Sequence, residues 1–455
     1  MFGSAIYDEV LEFVHLDTTW GATNIDFNYC PPKIYYDHDR LIDFRATNSS
    51  IADDQSNIIM YTNGQAIWDG DNEYIEDTIG YGDYWENWLT KQDDIVVREG
   101  YPLIQGALIL NMEEKDEELY YVIYSYFNLD NLVVTNLNYT KVSINNNDAI
   151  VEEKDVKIII DSLPSGCLNA VQHANGKDWW IFKMSLNTGK LYRFLLDSNG
   201  IKYKGYQYFG DYYESTTGQL YFTPDGSIVA INMISKYFDL DSKVAIADFD
   251  RCTGKISNVI EERIDGNRFA QGLSFSPNSK LLYVTDALFL YQYDLESDDI
   301  IGSRVMIEEY DGFEYFYPPD TTFPWPVELG WMGLAPDGKI YISTTAGSNR
   351  VMGKINNPNI KGIGCDMDQH SVFLNTSYAR GMPNFPNFRL GPLDGSSCDT
   401  LGIDNHPIAK YRYVQDSLEN LKIHFFDLSY YDPRDYDWDF GDSYTSDMLE
   451  PTHVY

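Results

Sequence analysis

GQLYFTPDGSIVAI, residues Gly218–Ile231, decides how the chain is read. Apolar and polar residues alternate up to Phe222, a Thr-Pro-Asp-Gly turn follows, and a second apolar stretch begins at Ile228, the pattern of an antiparallel hairpin. The same pattern returns in QGLSFSPNSKLLYVTD (Gln271–Asp286) and MGLAPDGKIYIST (Met332–Thr344). Looser copies are SSIADDQSNIIMYTNG (Ser49–Gly64), GALILNMEEKDEELYYVIY (Gly106–Tyr124) and CLNAVQHANGKDWWIF (Cys167–Phe182). With turn centres at Ser56, Asp116, Gly176, Gly226, Ser279 and Gly338, the intervals are 60, 60, 50, 53 and 59 residues. A second pair of strand-like stretches follows each hairpin, as in KVAIADFDRCTGKISNVIEE and LYQYDLESDDIIGS. Four strands per unit, without a 3.6-residue apolar period, predict an all-β fold of the β-propeller kind.

Six units are visible. ARGMPNF (Ala379–Phe385) aligns with AQGLSFS (Ala270–Ser276) as an innermost strand, yet no hairpin partner follows it, and TTWGATNIDFN (Thr18–Asn28) is strand-like. Seven blades are therefore expected, with six as the alternative. The two chain ends would complete one blade by backbone pairing between residues 382–389 and 18–28, removing open edges. The propeller would span 1–392. GPLDGSSCDTLGIDNHP, with its Gly, Pro, Ser and Asp, reads as a linker over 393–407, and a second domain occupies 408–455.

The bulk properties agree. A chain of 455 residues is too long for one small core. Its 37 Tyr, 23 Phe and 9 Trp favour half-buried pleated surfaces. The net charge of −37 repels polyanions, so nucleic acid is not an expected partner. No apolar run reaches the length of a membrane span, and the amino terminus lacks the basic start and apolar core of a signal peptide. The five cysteines form no C-x-x-C pair; Cys365 and Cys398 could bridge in an oxidising compartment, with buried free thiols as the alternative.

Near the carboxy terminus, Trp438-Asp439-Phe440-Gly441-Asp442, then Ser446 and Pro451-Thr452-His453-Val454-Tyr455, resembles the signature of PKD domains, which are Ig-like β-sandwiches. The resemblance implies that Trp438 and Phe440 fill the sandwich core while Gly441 and the two Asp residues shape a tight turn. Ser443 stands where the family usually has a further Gly. Family members continue with about two more strands where this chain stops, which implies an incomplete domain with an unpaired sheet edge. The propeller stretches, among them IIMYTNGQAIWDGD, GLSFSPNSKLLYVT and RGMPNFPNFRLGPLDGSSCDTLG, are similar to the amino-terminal propellers of large surface or secreted proteins of Bacteroidota. In those proteins one or more PKD domains and a type IX secretion sorting domain follow. The resemblance thus implies export to the cell surface or medium, and a monomeric module within a longer chain. No sorting domain occurs in this sequence.

No motif carries catalysis. Repeated S-x-D-x-G-x-T-W boxes, G-x-S-x-G, a Walker loop and G-x-G-x-x-G are all missing, and no cofactor is expected. The seven histidines show no metal-type spacing; His173 and His370 are read as turn residues, with approach to the axis as the alternative. Asp69, Asp71 and Glu73, or Asp239 and Asp241, offer oxygen ligands for calcium but lack the twelve-residue Gly-centred loop, so solvated turns are the plainer reading. Two long aromatic insertions, Tyr81–Tyr101 and Glu308–Trp331, put Trp85, Trp88, Tyr317 and Trp325 forward as candidate contacts for a protein or glycan; the alternative is that they fold back and cap the blades. The expected function is a non-catalytic binding and adhesion module with the PKD unit as spacer. The competing reading is a polysaccharide hydrolase or lyase working at the channel mouth, which would need convergent titratable groups in a concavity, whereas a scaffold would show small, amide and aromatic residues there.

Overall fold

The computed structural model describes residues 22–455 apart from 41, 43, 54, 81–88, 93–94, 99, 115–116, 129–132, 146–147, 211–214, 236–241, 265–271, 317–323, 346–348, 379, 417 and 432. Among the described residues, regular structure is β-strand apart from one 3-10 turn at Gly362–Cys365, and no helix is long and apolar enough to cross a membrane.

Six four-stranded antiparallel sheets follow one another, each in simple up-and-down order. Sheet 1 holds Ser49–Ala52, Ile58–Thr62, Ile67–Asp69 and Tyr74–Glu76; sheet 2 holds Ala107–Glu114, Glu117–Asn128, Val133–Asn145 and Asp148–Leu163. Sheet 3 holds Leu168–Gln172, Trp179–Met184, Lys190–Asp197 and Gly200–Tyr208; sheet 4 holds Ser215–Phe222, Ile228–Ser235, Ser242–Asp250 and Lys255–Ile264. Sheet 5 holds Leu273–Phe275, Leu281–Thr285, Phe289–Asp294 and Val305–Glu309; sheet 6 holds Met332–Leu334, Ile340–Ile342, Asn349–Ile355 and Met367–Tyr378. The first strand of each sheet neighbours the first strand of the next, so the arrangement is propeller-like.

The repeated turn explains why the units look alike. Ser56, Gly176, Gly226, Ser279 and Gly338 adopt φ of 67°, 74°, 72°, 62° and 72°. Each donates its N–H to the carbonyl three residues earlier, on Asp53, His173, Thr223, Ser276 and Ala335 respectively. A tight turn ending in a left-handed residue is what lets the first two strands fold back in register. The corresponding Asp116 lies outside the described residues.

Apolar cores sit in the seams between sheets, so alternating strand residues are buried on both faces. Ile181 and Phe194 of sheet 3 pack with Leu108, Leu110 and Ile123 of sheet 2, while Trp180 and Phe182 on its other face pack with Val229, Ile231 and Phe249 of sheet 4. The sheet 4 to 5 and sheet 5 to 6 seams repeat this with Ala230, Ile246 and Leu282, then Tyr283, Ile340 and Ile355.

Sheets 6 and 1 are bridged by both ends of the chain, though not by the expected pairing. Ala22–Asp26 pairs with Lys33–Asp37 as a separate hairpin, and among the described residues no ladder joins it to residues 382–389; residues 18–21 of the expected pairing lie outside the described residues. Thr23 exchanges hydrogen bonds with Thr376 of sheet 6, Ala22 packs with Tyr61 and Trp68 of sheet 1, and Met382 joins the cluster holding Ala46 and Tyr341. The physical reason is in the sequence: Pro383 and Pro386 remove two donors from the segment that would have been an innermost strand.

The 408–455 part contains a three-stranded sheet of Tyr411–Gln415, Lys422–Asp427 and Thr452–Val454, beside a small hairpin of Trp438–Asp439 with Thr445–Ser446. Trp438 packs on Tyr411 and Phe425, with ring centroids 5.4 and 5.6 Å away, and Phe440 stacks on His453 at 4.2 Å. Ser443 has φ of 79°, so the backbone keeps the conformation for which Gly is ordinarily used. Against sheet 6, Arg412 is buried, donates to the Asn356 carbonyl at 3.4 Å and lies near Asp337, whose carboxyl is raised by burial.

One buried cation makes stability depend on pH. Lys183 is fully buried in sheet 3 and donates to the carbonyls of Pro164 and Gly166 at 2.9 and 2.6 Å. Burial pushes its ammonium down from 10.5 to about 7. The unfolded chain therefore holds this proton up to about 10.5 while the folded chain releases it near 7, so the folded state is penalised at and below 7 and relieved as pH rises toward 10.5. We expect Lys183→Met to remove about 3 kcal/mol of the gain in unfolding free energy between pH 7 and 9.5. Denaturant unfolding of both proteins at the two pH values checks this; parallel pH profiles would refute it.

Candidate functional site

The innermost strand of each sheet turns one edge of backbone N–H and C=O groups toward the axis, where no further strand can take them. Buried groups of this kind need partners. Amide side chains supply them, because each carries both a donor and an acceptor. Gln105, Asn169, Gln219 and Asn384 are 2%, 2%, 0% and 1% exposed.

Their bonds run between sheets. Gln105 donates to the Leu220 carbonyl at 3.0 Å and accepts the Leu220 N–H at 2.9 Å, tying sheet 2 to sheet 4. Asn169 donates to the same carbonyl at 2.8 Å. Gln219 accepts from Leu273 N–H at 2.9 Å and Met332 N–H at 3.3 Å, and donates to the Met332 carbonyl at 3.0 Å, which ties sheet 4 to sheets 5 and 6. Asn384 donates to the carbonyls of Ala107 and Leu168 at 2.9 and 3.0 Å, and its backbone bonds Asn48 and Ser49 of the first unit. The four neutral side chains stitch sheets 2 to 6, and the Asn384 backbone adds sheet 1.

From Asn384 the chain crosses the face carrying the hairpin turns. Phe388 packs edge-on against Trp179 at 5.6 Å, Asn387 donates to the Pro224 carbonyl at 2.9 Å, and Gly391 N–H donates to Gln172 Oε1 at 2.8 Å. The Arg251 guanidinium, buried and lowered by that burial to about 10, donates to the Gly391 carbonyl. Leu393 N–H bonds the Ala174 carbonyl, and Cys398 is disulfide-bonded to Cys252, Cα atoms 5.6 Å apart. Of the two possibilities for Cys365, the buried free thiol holds: it sits in the 3-10 turn between the last two strands of sheet 6, while Cys398 is brought to Cys252 by the route of the strap over sheet 4. Residues 393–407, read from sequence as a linker, are held at Leu393 and Cys398.

A cleft of about 320 Å³ opens where this strap meets the 408–455 part, lined among others by Phe388, Pro392, Asp404, His406 and Tyr431. His173 and His370 stay away from the axis chemistry. His173 bonds the Cys252 carbonyl and accepts the Asn175 N–H in its own turn, and His370 pairs with Asp311 at 3.0 Å while stacking on Phe313. Asp69 spends its carboxylate on the N–H groups of Asp71 and Glu73, as a solvated turn does. Asp239 and Asp241 lie outside the described residues.

Of the four aromatic contact candidates, Trp85, Trp88 and Tyr317 lie outside the described residues. Trp325 is half-buried in a short hairpin, Pro324–Pro326 with Glu314–Phe316, and faces Tyr315 across it. The axial amides were legible only as residue types, since Gln and Asn inside alternating strands are a weak signal until the ring places them.

No family model matches the chain, and no curated protein matches it. Among solved structures it is similar to a protein from Lactobacillus plantarum, at 10% identity over 89% of this chain and 94% of that one, with a TM-score of 0.38. A putative 6-phosphogluconolactonase from Bacteroides uniformis is 11% identical over 59% of this chain and 86% of its own, TM-score 0.35. The subtype N11 neuraminidase-like protein of A/flat-faced bat/Peru/033/2010 is 11% identical over 78% and 88%, TM-score 0.30.

Gln219→Ala should leave the Leu273 amide and both Met332 backbone groups facing the axis without their partner. We expect a loss of roughly 2–3 kcal/mol, seen as a lower unfolding midpoint. An unchanged midpoint would show that the side chain is not what satisfies them.

Proposed function

We propose that the chain is a non-catalytic binding and adhesion module of an exported, multidomain bacterial surface protein. In this reading six four-stranded blades form the ring, and the two chain ends fill the gap between last and first as a reduced seventh. The 408–455 part is a PKD-type spacer. The partner is a protein or glycan met on the outer surface.

One observation carries the reading: the axis, where a propeller hydrolase or lyase would gather acid and base groups, is filled by Gln105, Asn169, Gln219 and Asn384, whose hydrogen bonds go to the backbone. Neutral amides with both functions occupied have no proton to give or take near neutrality. The Cys252–Cys398 bridge suits an oxidising destination, and the charge of −37 suits solubility outside the cell.

The test is incubation of the purified chain with a panel of neutral and acidic polysaccharides. Retention of a polymer with no new reducing or unsaturated ends is expected. Turnover that survives rigorous purification and scales with protein concentration would overturn the non-catalytic reading.

A further inference from the structure

The outermost strand of sheet 3, Gly200–Tyr208, differs from its five counterparts. Glu76, Asp161, Glu261, Glu308 and Asp368 place at least one carboxylate in each of the other outermost strands. Gly200–Tyr208 has none, in a chain with 70 acidic residues, and carries Lys202 and Lys204 together with three tyrosines.

Those tyrosines form a solvent-facing platform. Tyr203, Tyr206 and Tyr208 are 53%, 44% and 61% exposed. A register shift opposite Tyr192 and Phe194 brings Tyr203 and Tyr206 onto one side of the strand, where both meet the Tyr192 ring at 6.3 Å, and Tyr208 meets Tyr206 edge-on at 5.6 Å. The rings are held in place: Tyr192 donates its hydroxyl to Asp161 of sheet 2, and Lys190 Nζ lies 4.8 Å from the Tyr206 centroid.

The local positive charge is only partly compensated. Lys202 is paired with Asp197 at 2.7 Å. Among the described residues no carboxylate lies within ion-pair distance of Lys190 or Lys204, and Arg193 gives its donors to the carbonyls of Thr253, Gly254 and Lys204, none of which neutralises it. A basic tyrosine strip thus stands out among the outermost strands of an acidic molecule.

Building on the proposed binding role, we propose that this strip is the docking surface for an anionic polysaccharide. Sugar rings lie against the faces of Tyr203, Tyr206 and Tyr208, and carboxylates or sulfates of the polymer meet Lys190 and Lys204. The surface is an extended strand on the rim with an open backbone edge, which suits a linear polymer running along it. Three exposed tyrosine faces along one strand, beside lysines without ion pairs among the described residues, match a repeating anionic polymer in both charge and shape. The negative charge elsewhere repels the same polymer and confines it to this strand.

Affinity electrophoresis and biolayer interferometry with polygalacturonate, alginate and chondroitin sulfate, against dextran as the neutral control, test the assignment. At least one acidic polymer should bind five-fold or more tightly than dextran. The Tyr203→Ala/Tyr206→Ala pair should weaken that binding at least ten-fold with an unchanged unfolding midpoint, and Lys190→Gln/Lys204→Gln should abolish the preference for acid over neutral. Failure of all three acidic polymers, equal binding of dextran, or indifference to both pairs of substitutions overturns the strip as the site. Cleavage of a polymer bound at the strip would instead overturn the non-catalytic reading and leave the strip standing.

Discussion

Every innermost strand of a ring of sheets has an edge that no neighbour can pair, and six such edges converge on one axis here. Left bare in a dry interior, each group would cost on the order of 1–3 kcal/mol. Water could meet that demand if the channel were open. This chain meets it with Gln105, Asn169, Gln219 and Asn384, which reach across the axis and so tie together sheets that share no seam, such as 2 with 4 and 4 with 6. The apolar seams hold neighbours together; the amides fix the ring as a whole.

The same constraint explains the path of the chain after its last sheet. Asn384 must reach the axis to bond Ala107 and Leu168, and Pro383 and Pro386 prevent the segment around it from becoming a regular strand. The chain then leaves across the turn face, where Phe388, Gly391, Leu393 and Cys398 each find a fixed partner on sheets 3 and 4. The 408–455 part consequently begins from an anchored strap, and its Arg412 and Leu428 meet sheet 6 at Asn356 and beside Gly338.

The hairpins were legible because turn chemistry is local: the positive φ at Ser56, Gly176, Gly226, Ser279 and Gly338 falls on the positions chosen as turn centres from sequence. Long-range pairing was not. Cys398 bonds Cys252 across 146 residues, a partnership that only the strap's route over sheet 4 creates. The aligned ARGMPNF segment correctly reaches the axis but does so through side chains instead of a ladder, because similarity of apolar pattern says nothing about missing N–H donors. Long aromatic loops point to Trp325, whereas nothing local in the sequence marks the tyrosines of Gly200–Tyr208. The signal that separates them is the lack of any carboxylate beside two lysines, which gains meaning only when the other outermost strands are known.

Amides spent on the inner strands also bear on where the proposed binding role could be carried. Side chains that hold the inner strands cannot turn to a ligand without exposing the backbone they satisfy, so binding energy has to come from groups whose loss leaves the ring intact. Outermost strands meet that condition, since each is paired on one edge only and packs its sheet with one part of its side chains while presenting the rest to solvent. Tyr203 illustrates the division: its ring touches Phe194, which belongs to the sheet 2 to 3 core, yet more than half of the residue remains exposed. Sheet 3 therefore supports Asn169 at its innermost strand and offers aromatic rings at its outermost, and the rigidity gained at the axis is what keeps those rings in fixed positions at the rim.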